Sequence, residues 1–425
     1  MRIAYILSTT PVLSGSHIAF KNMLRGVMER GVEPIVIIPD KQELYDDLKP
    51  LDIPIFMTTY RFNVYPYLNT LKDYLVFIPK LVARQVVNFI AVRKLTRYLR
   101  DKDIDIIHTN IGVMDVGFRT AQRLKIPHIY HIREYGDLDF GLHYFPNKKS
   151  FIKQLRSPNS YSISITKGIR RYFNEKGRMS SRIIYDGVFS QKNELVNKPK
   201  DRFFLYVGRI QPTKGLMPLL EAYNIFCKTC PVMVPLHVIG GITDEHFHQQ
   251  VLHFIEENKL SNSVFFEGQI SDVSHWMQKA LAIIIPSLSE GFGFCMPEAM
   301  FNGCLAIGYN VGGTKEQMDN GLELQGKEIA LRYDNITELV EHLKNVASTA
   351  PEEYNPYILR AFDTVNLLYS MEHHADQVYL FYQDILNNTL SAHGKFANKK
   401  NKNHFTNGHQ SSCILSSAVS HHTRE

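Results

Sequence analysis

Cysteine is scarce and scattered, with five residues in a chain of 425. Such irregular spacing excludes a disulfide framework and fits a reducing compartment. Cys227 and Cys230 form a C-x-x-C, but no second pair lies at zinc-site spacing. They read as packed residues near a helix end, and no metal site is expected. No window holds 18 uncharged apolar residues, which argues against a membrane-spanning helix. The opening run MRIAYILSTT has too short an apolar stretch, and no cleavage-like end, to read as a signal peptide; it reads as a strand. With 44% apolar and 21% charged residues, the composition is that of an ordinary globular protein, expected in the cytoplasm.

What is present is length, alternation and uneven charge. A chain of 425 residues exceeds the size at which one hydrophobic core stops growing, so two domains are expected. Residues 1–190 carry 29 Lys and Arg against 17 Asp and Glu, an excess of 12 within a net charge of +6. A basic first half points to an anionic partner: nucleic acid, anionic lipid or a phosphorylated acceptor. Nucleic acid is disfavoured, because no recognisable module interleaves aromatic with basic residues.

Short apolar runs alternate with longer amphipathic segments, the pattern of parallel sheets covered by helices. In the first half the runs are 2–8, 33–39, 105–110, 128–133, 161–166 and 182–188. In the second they are 203–210, 236–241, 264–269, 281–287, 304–310 and 328–333. The spacing predicts two doubly wound, Rossmann-like α/β domains, 1–190 and 202–367, joined by a polar linker at 191–201. Ligands of such sheets bind at the C-terminal strand edges, here in the cleft between domains. Residues 368–387 read as a closing helix that returns to the first domain, and the polar tail 388–425 as disordered. Between Lys80 and Arg100, six basic residues and no acid are set among apolar residues at helical spacing. Two readings stand: a sheet-covering helix with a solvated basic face, or a helix lying on an anionic membrane surface.

Two stretches are built for chemistry. GRIQPTKG, Gly208 to Gly215, follows the first strand of the second domain. Its guanidinium, Arg209, and its ammonium, Lys214, suit a diphosphate. The sequence SLSEGFGFCMPEAM, Ser287 to Met300, sets two acids around a Gly-aromatic-Gly-aromatic run. Glu290 fits the last position of an S-x-x-E capping box. Pro297 suits the first position of a helix, which would place Glu298 in its first turn. Glycines that let a backbone approach a ligand weaken these purely structural readings. A carboxylate accepts hydrogen bonds from a vicinal diol, so two of them fit the two sugars of a nucleotide-sugar.

GRIQPTKG followed by E-x7-E (Glu290, Glu298) resembles the retaining nucleotide-sugar glycosyltransferases of family 4, of GT-B architecture. The resemblance extends over nearly the whole chain to about residue 387 and includes VGGTKEQM (311–318) and NGLEL (320–324). It implies that Arg209 and Lys214 hold the donor diphosphate, that Glu298 accepts from the ribose, and that Glu290 and the Phe292–Gly293–Phe294 backbone bind the transferred sugar. Phe292, Phe294 and Met296 are expected to influence which sugar fits. Gly15 stands for the glycine-rich loop at the first helix, reduced here to Ser14-Gly15-Ser16. His131, at the end of the fourth strand, is expected to face the cleft near sugar and acceptor, with His128 on the opposite face. Arg133 and Glu134 are further candidates for acceptor contact.

The implied reaction moves a hexose-type sugar, with retention and without a metal or other cofactor, to a glycan or lipid-linked acceptor. The implied setting is bacterial cell-surface polysaccharide synthesis, with the protein cytoplasmic or peripheral on the inner membrane face. A sugar-nucleotide epimerase of the same fold, or a non-catalytic nucleotide-sugar binder, are the alternatives.

Overall fold

Strands buried on both faces carry continuous apolar runs rather than alternation, and that is how this chain builds its sheets. The structure, a computed structural model, describes residues 1–8, 15–41, 43–66, 70–192, 194–195 and 198–400. The first half supplies β1 (Arg2–Ile6), β2 (Glu33–Ile38), β3 (Ile55–Met57), β4 (Val64–Pro66), β5 (Ile106–Thr109), β6 (His128–Ile132), β7 (Leu142–Tyr144), β8 (Ser160–Ser164) and β9 (Ser181–Ile183). Seven of these form one parallel sheet in the order β3-β2-β1-β5-β6-β8-β9, while β4 and β7 pair antiparallel. Every residue of β5 and β6 is buried.

The second half supplies β10 (Phe204–Val207), β11 (Leu236–Ile239), β12 (Val264–Gly268), β13 (Ala282–Ile285), β14 (Ala306–Tyr309) and β15 (Leu331–Tyr333). They form a parallel sheet in the order β12-β11-β10-β13-β14-β15. Each sheet has a switch point where the chain winds outward in opposite directions, between β1 and β5 and between β10 and β13. Crevices at switch points are where doubly wound sheets bind ligands. Every strand expected from the sequence is present, shortened by one to four residues. The strands not foreseen, β3, β4 and β7, are three residues each, too short to show a period.

The first turns of the helix Met371–Lys400, up to Tyr382, return along the first sheet. Arg30 pairs with Asp376 at 2.7 Å, and the Tyr5 and Tyr382 hydroxyls meet at 3.2 Å. Gly26 belongs to the helix Gly15–Glu29, and a β-carbon there would stand 2.4 Å from that of Ala375. Residues Met1–Tyr382 form one compact unit, and Gln383 onward belongs to another. The tail expectation needs correcting: the helix continues past Asn387 to Lys400, a stretch with no proline to stop it, and residues 401–425 lie outside the described ones.

The contact at Gly26 sets a test. Gly26→Val pushes the returning helix off the first sheet and is expected to cost about 1–3 kcal/mol, the range for overpacking. The readout is a lower urea midpoint with an unchanged slope.

Candidate active site

The chain leaves β10 and β13 at the switch point of the second sheet, and both motif loops start there. Gly215 holds a left-handed conformation, φ +71°, between a short 3-10 turn (Pro212–Lys214) and the helix Leu216–Thr229. A β-carbon at 215 would lie 1.9 Å from the Pro286 carbonyl oxygen, so only glycine lets the two loops cross. The Leu288 amide donates to the Thr213 carbonyl at 3.0 Å, and the Tyr206 hydroxyl donates to the Arg209 carbonyl at 3.3 Å.

The crossing brings Lys214 onto Glu290: the ammonium donates to the carboxylate at 2.6 Å, both side chains being mostly buried. Arg209 is exposed nearby in the chain. The capping-box reading of Glu290 fails, because no helix begins at Ser287; the helix starts at Cys295 and runs to Phe301. Pro297 therefore sits at its third position rather than its first, and Glu298 still lies in the first turn. Burial pushes the Glu298 carboxyl up to about 7. The Cys295 thiol donates to the Val207 carbonyl at 3.2 Å and is held protonated by burial and the nearby acids.

VGGTKEQM turns out to be the scaffold of this loop. Gly312 and Gly313 open the helix Gly312–Gln325 directly against it: a β-carbon at 313 would stand 2.2 Å from the Phe292 carbonyl oxygen. The Gly313 amide donates to the Glu290 carbonyl at 3.0 Å, and Gln317 donates to the Phe292 carbonyl at 2.8 Å. Phe292 and Met296 are core residues, 3% and 0% exposed, which corrects their expected place in a sugar pocket. Phe292 packs between Tyr185 and Tyr369, so its contribution is to hold the loop; Phe294, half-buried, meets it edge-on at 5.3 Å.

His131 also needs correcting. Its ring is fully buried, because the returning helix covers β6: His374 stacks over it at 6.0 Å. His108 bonds it at 3.2 Å and in turn bonds the Tyr382 hydroxyl at 2.6 Å. Burial and the nearby Arg133 charge hold both imidazoles neutral. His128 does lie on the other face, bonded to Thr109 at 2.8 Å. The residue of the first sheet that meets the E-x7-E loop is Arg133, whose carbonyl oxygen lies 3.1 Å from where a Gly291 β-carbon would be. Its guanidinium pairs with buried Asp186, and Glu134 accepts from the Gly112 amide at 2.7 Å.

Gly15 opens the helix Gly15–Glu29 after β1, while Ser14 and the loop before it lie outside the described residues. Cys227 and Cys230 are free and sit at the end of the helix Leu216–Thr229. Among the described residues, no cluster of three or more His, Cys, Asp or Glu could hold a metal ion.

Sequence reading passed over Glu316. From the second half it accepts from the Lys167 and Gly168 amides at 2.6 and 3.1 Å, and from the Tyr185 hydroxyl at 2.9 Å. Its signal was only a carboxylate within the GGTKEQ run, with no hint of its reach.

Residues 188–357 match the family model described as glycosyl transferases group 1. Anabaena HepE in complex with UDP superimposes with a TM-score of 0.69 at 17% identity, over 92% of this chain and 100% of that one. The fold is GT-B. The apo lipopolysaccharide outer core galactosyltransferase WaaB gives a TM-score of 0.66 at 17% identity, covering 92% and 100%. Among curated relatives, an uncharacterized glycosyltransferase of Methanocaldococcus jannaschii is 26% identical over 226 residues, 52% of this chain and 61% of that one. The capsular polysaccharide biosynthesis glycosyltransferase CapH of Staphylococcus aureus is 22% identical over 51% of this chain and 63% of its own. These matches thus span less than two thirds of either relative.

Glu298 gives a pH test. Its folded-state value near 7 exceeds the ordinary value of roughly 4.3, so the native chain binds the extra proton in between. The Glu298 contribution to stability therefore falls as pH rises from about 4 to about 7 and is level outside that window. Glu298→Gln is expected to remove this slope and to be the more stable protein at pH 8, by about 2–3 kcal/mol. Urea midpoints of both proteins at pH 5 and pH 8 check it.

Proposed function

We propose that this chain is a glycosyltransferase of family 4 that moves a hexose-type sugar, with retention, from a nucleotide-diphosphate sugar to a glycan or lipid-linked acceptor. The observation that carries the reading is the Lys214–Glu290 pair, 2.6 Å apart at the switch point of the second sheet, with Glu298 in the first turn of the helix that follows. Similarity to group 1 glycosyltransferases over residues 188–357 supports it. So do structural neighbours solved with UDP and with UDP-glucose.

The structure pairs the ammonium with the carboxylate. In this reading a donor separates their tasks: Lys214 turns to the diphosphate and Glu290 to the sugar hydroxyls. Negative charge grows on the diphosphate as the sugar–phosphate bond breaks, and Lys214 and Arg209 are placed to stabilise it. Positive character grows on the sugar, whose position the Glu290 carboxylate fixes. The acceptor proton passes to the leaving phosphate, so neither acid acts as a nucleophile, unlike the pair in retaining glycosidases. No metal or other cofactor is assigned a role. Glu298, only partly ionised at pH 7 because of its burial, ionises fully when ribose hydroxyls donate to it. Resemblance to capsule and O-antigen glycosyltransferases supports a role in cell-surface polysaccharide assembly, which in this reading takes place at the inner face of the membrane.

A binding and turnover screen over UDP-, GDP- and ADP-sugars tests the reading, with one donor class expected to bind and transfer. Lys214→Ala and Glu290→Ala are each expected to lower turnover on that donor by about 100- to 1,000-fold, the range for a lost charge-stabilising donor. Near-wild-type turnover in both variants overturns the assignment. Calorimetry at pH 7 in buffers of different ionisation enthalpy is expected to show about half a proton released on binding, absent in Glu298→Gln.

A further inference from the structure

The helix Leu71–Leu99 is 29 residues long, and its most apolar 18-residue window has a mean hydropathy of 1.7. By length and composition alone it qualifies as a membrane span, against the expectation from uncharged runs, because Lys80 and Arg84 are tolerated within that window. Only 17% of the window is buried. The two halves of the helix differ. Asn88, Ala91, Val92, Leu95 and Leu99 are buried in the core beneath β1 and β5. Toward the N-terminus, Leu71, Leu75, Ile78, Val82, Val86 and Phe89 recur every three or four residues on one face and are exposed, Leu71 by 77% and Leu75 by 68%.

Beyond Ile90 the outer face turns cationic, with Arg93, Lys94, Arg97 and Arg100 all exposed. Arg93 and, from the neighbouring helix Val116–Leu124, Arg123 flank the Phe89 ring at 4.3 and 5.6 Å. Asp73 is the one acid between Leu71 and Arg100, and it is engaged in the capping box with Thr70. Arg84 is turned back onto the protein, donating to the Val64 carbonyl at 2.8 Å.

We propose that the N-terminal half of this helix lies in the plane of an anionic bilayer, its apolar face among the acyl chains and the cations at 93–100 on lipid phosphates. An apolar row from Leu71 to Ile90, roughly 28 Å at 1.5 Å per residue, ending in cations with no acid in residues 74–100, matches the two-zone chemistry of a bilayer surface. The helix does not cross, because its second half is core to the first sheet. Pro79 interrupts its hydrogen-bond ladder, and in-plane docking needs no continuous span. This deepens the membrane-borne reading of the acceptor and rests on it for its purpose, although the binding itself is separable.

Flotation of the full chain with phosphatidylcholine vesicles, with and without about one third phosphatidylglycerol, tests it. Binding to the anionic vesicles only, and its loss in high salt, is expected. Leu75→Glu with Val82→Glu, and separately Arg93→Glu with Lys94→Glu, are each expected to lower partitioning by about tenfold or more. All four residues are exposed, and unchanged circular dichroism and UDP-sugar binding show that fold and cleft are intact. Three outcomes overturn the proposal: wild-type protein that floats with neither vesicle, variants that float as well as wild type, or a solution dimer that the Glu variants split while no vesicle binds. Failure of UDP-, GDP- and ADP-sugars alike to bind the wild type, with flotation intact, overturns the transferase reading instead.

Discussion

The candidate site depends on main chain meeting main chain. The Pro286 carbonyl occupies the space of a β-carbon at 215, and the Phe292 carbonyl that of one at 313. Three segments that leave neighbouring strands of one sheet are thereby locked at backbone distance. Lys214, Glu290 and Glu298 then project from a surface whose shape the chain itself fixes, rather than from flexible loops. A site held this way loses little freedom on binding, which is what positioning a charged leaving group demands. Gln317 completes the lock by donating to the carbonyl that Gly313 crowds.

Across the cleft the first sheet presents a buried cation rather than a histidine. Arg133, the residue after β6, lies against Gly291, and Asp186 compensates its charge. Burial, reinforced by a guanidinium that cannot shed its proton, keeps the nearby imidazoles of His108, His131 and His374 neutral. The histidines therefore serve as uncharged polar core between β5, β6 and the returning helix. Glu316 acts in the opposite direction, carrying a carboxylate from the second half onto amides of the first. Loop contact at Gly291 and amide capture at Glu316 together relate the two sheets.

How much of this was legible follows from what each feature writes into sequence. Buried parallel strands write continuous apolar runs, so both main sheets were readable but for the three-residue β3. The E-x7-E pair and the Arg209–Lys214 loop were readable as residue types at a fixed spacing. Side-chain direction was not. Alternation placed His128 and His131 on opposite faces, as found, but it does not say which face a helix 240 residues later will cover. For the same reason Phe292 and Met296, in a glycine-rich loop, looked like pocket residues and are core. Glu316 was invisible because its partners are backbone amides, which carry no sequence signature at all.

The helix Leu71–Leu99 shows the same limit in one element. Its sequence is apolar at helical spacing from end to end, so periodicity alone assigns it a single role. Burial divides it near Ile90: after that point the apolar residues Ala91, Val92, Leu95 and Leu99 join the core with β1 and β5, and before it an apolar row faces outward. One helix thus carries two apolar faces on different sides and at different ends, the first requiring the fold and the second exposed by it. Exposing the first half costs free energy in water, since its large side chains gain little from folding there. A face retained at that cost, and bounded by cations rather than acids, has its chemistry defined by what relieves the exposure: an apolar layer with an anionic rim.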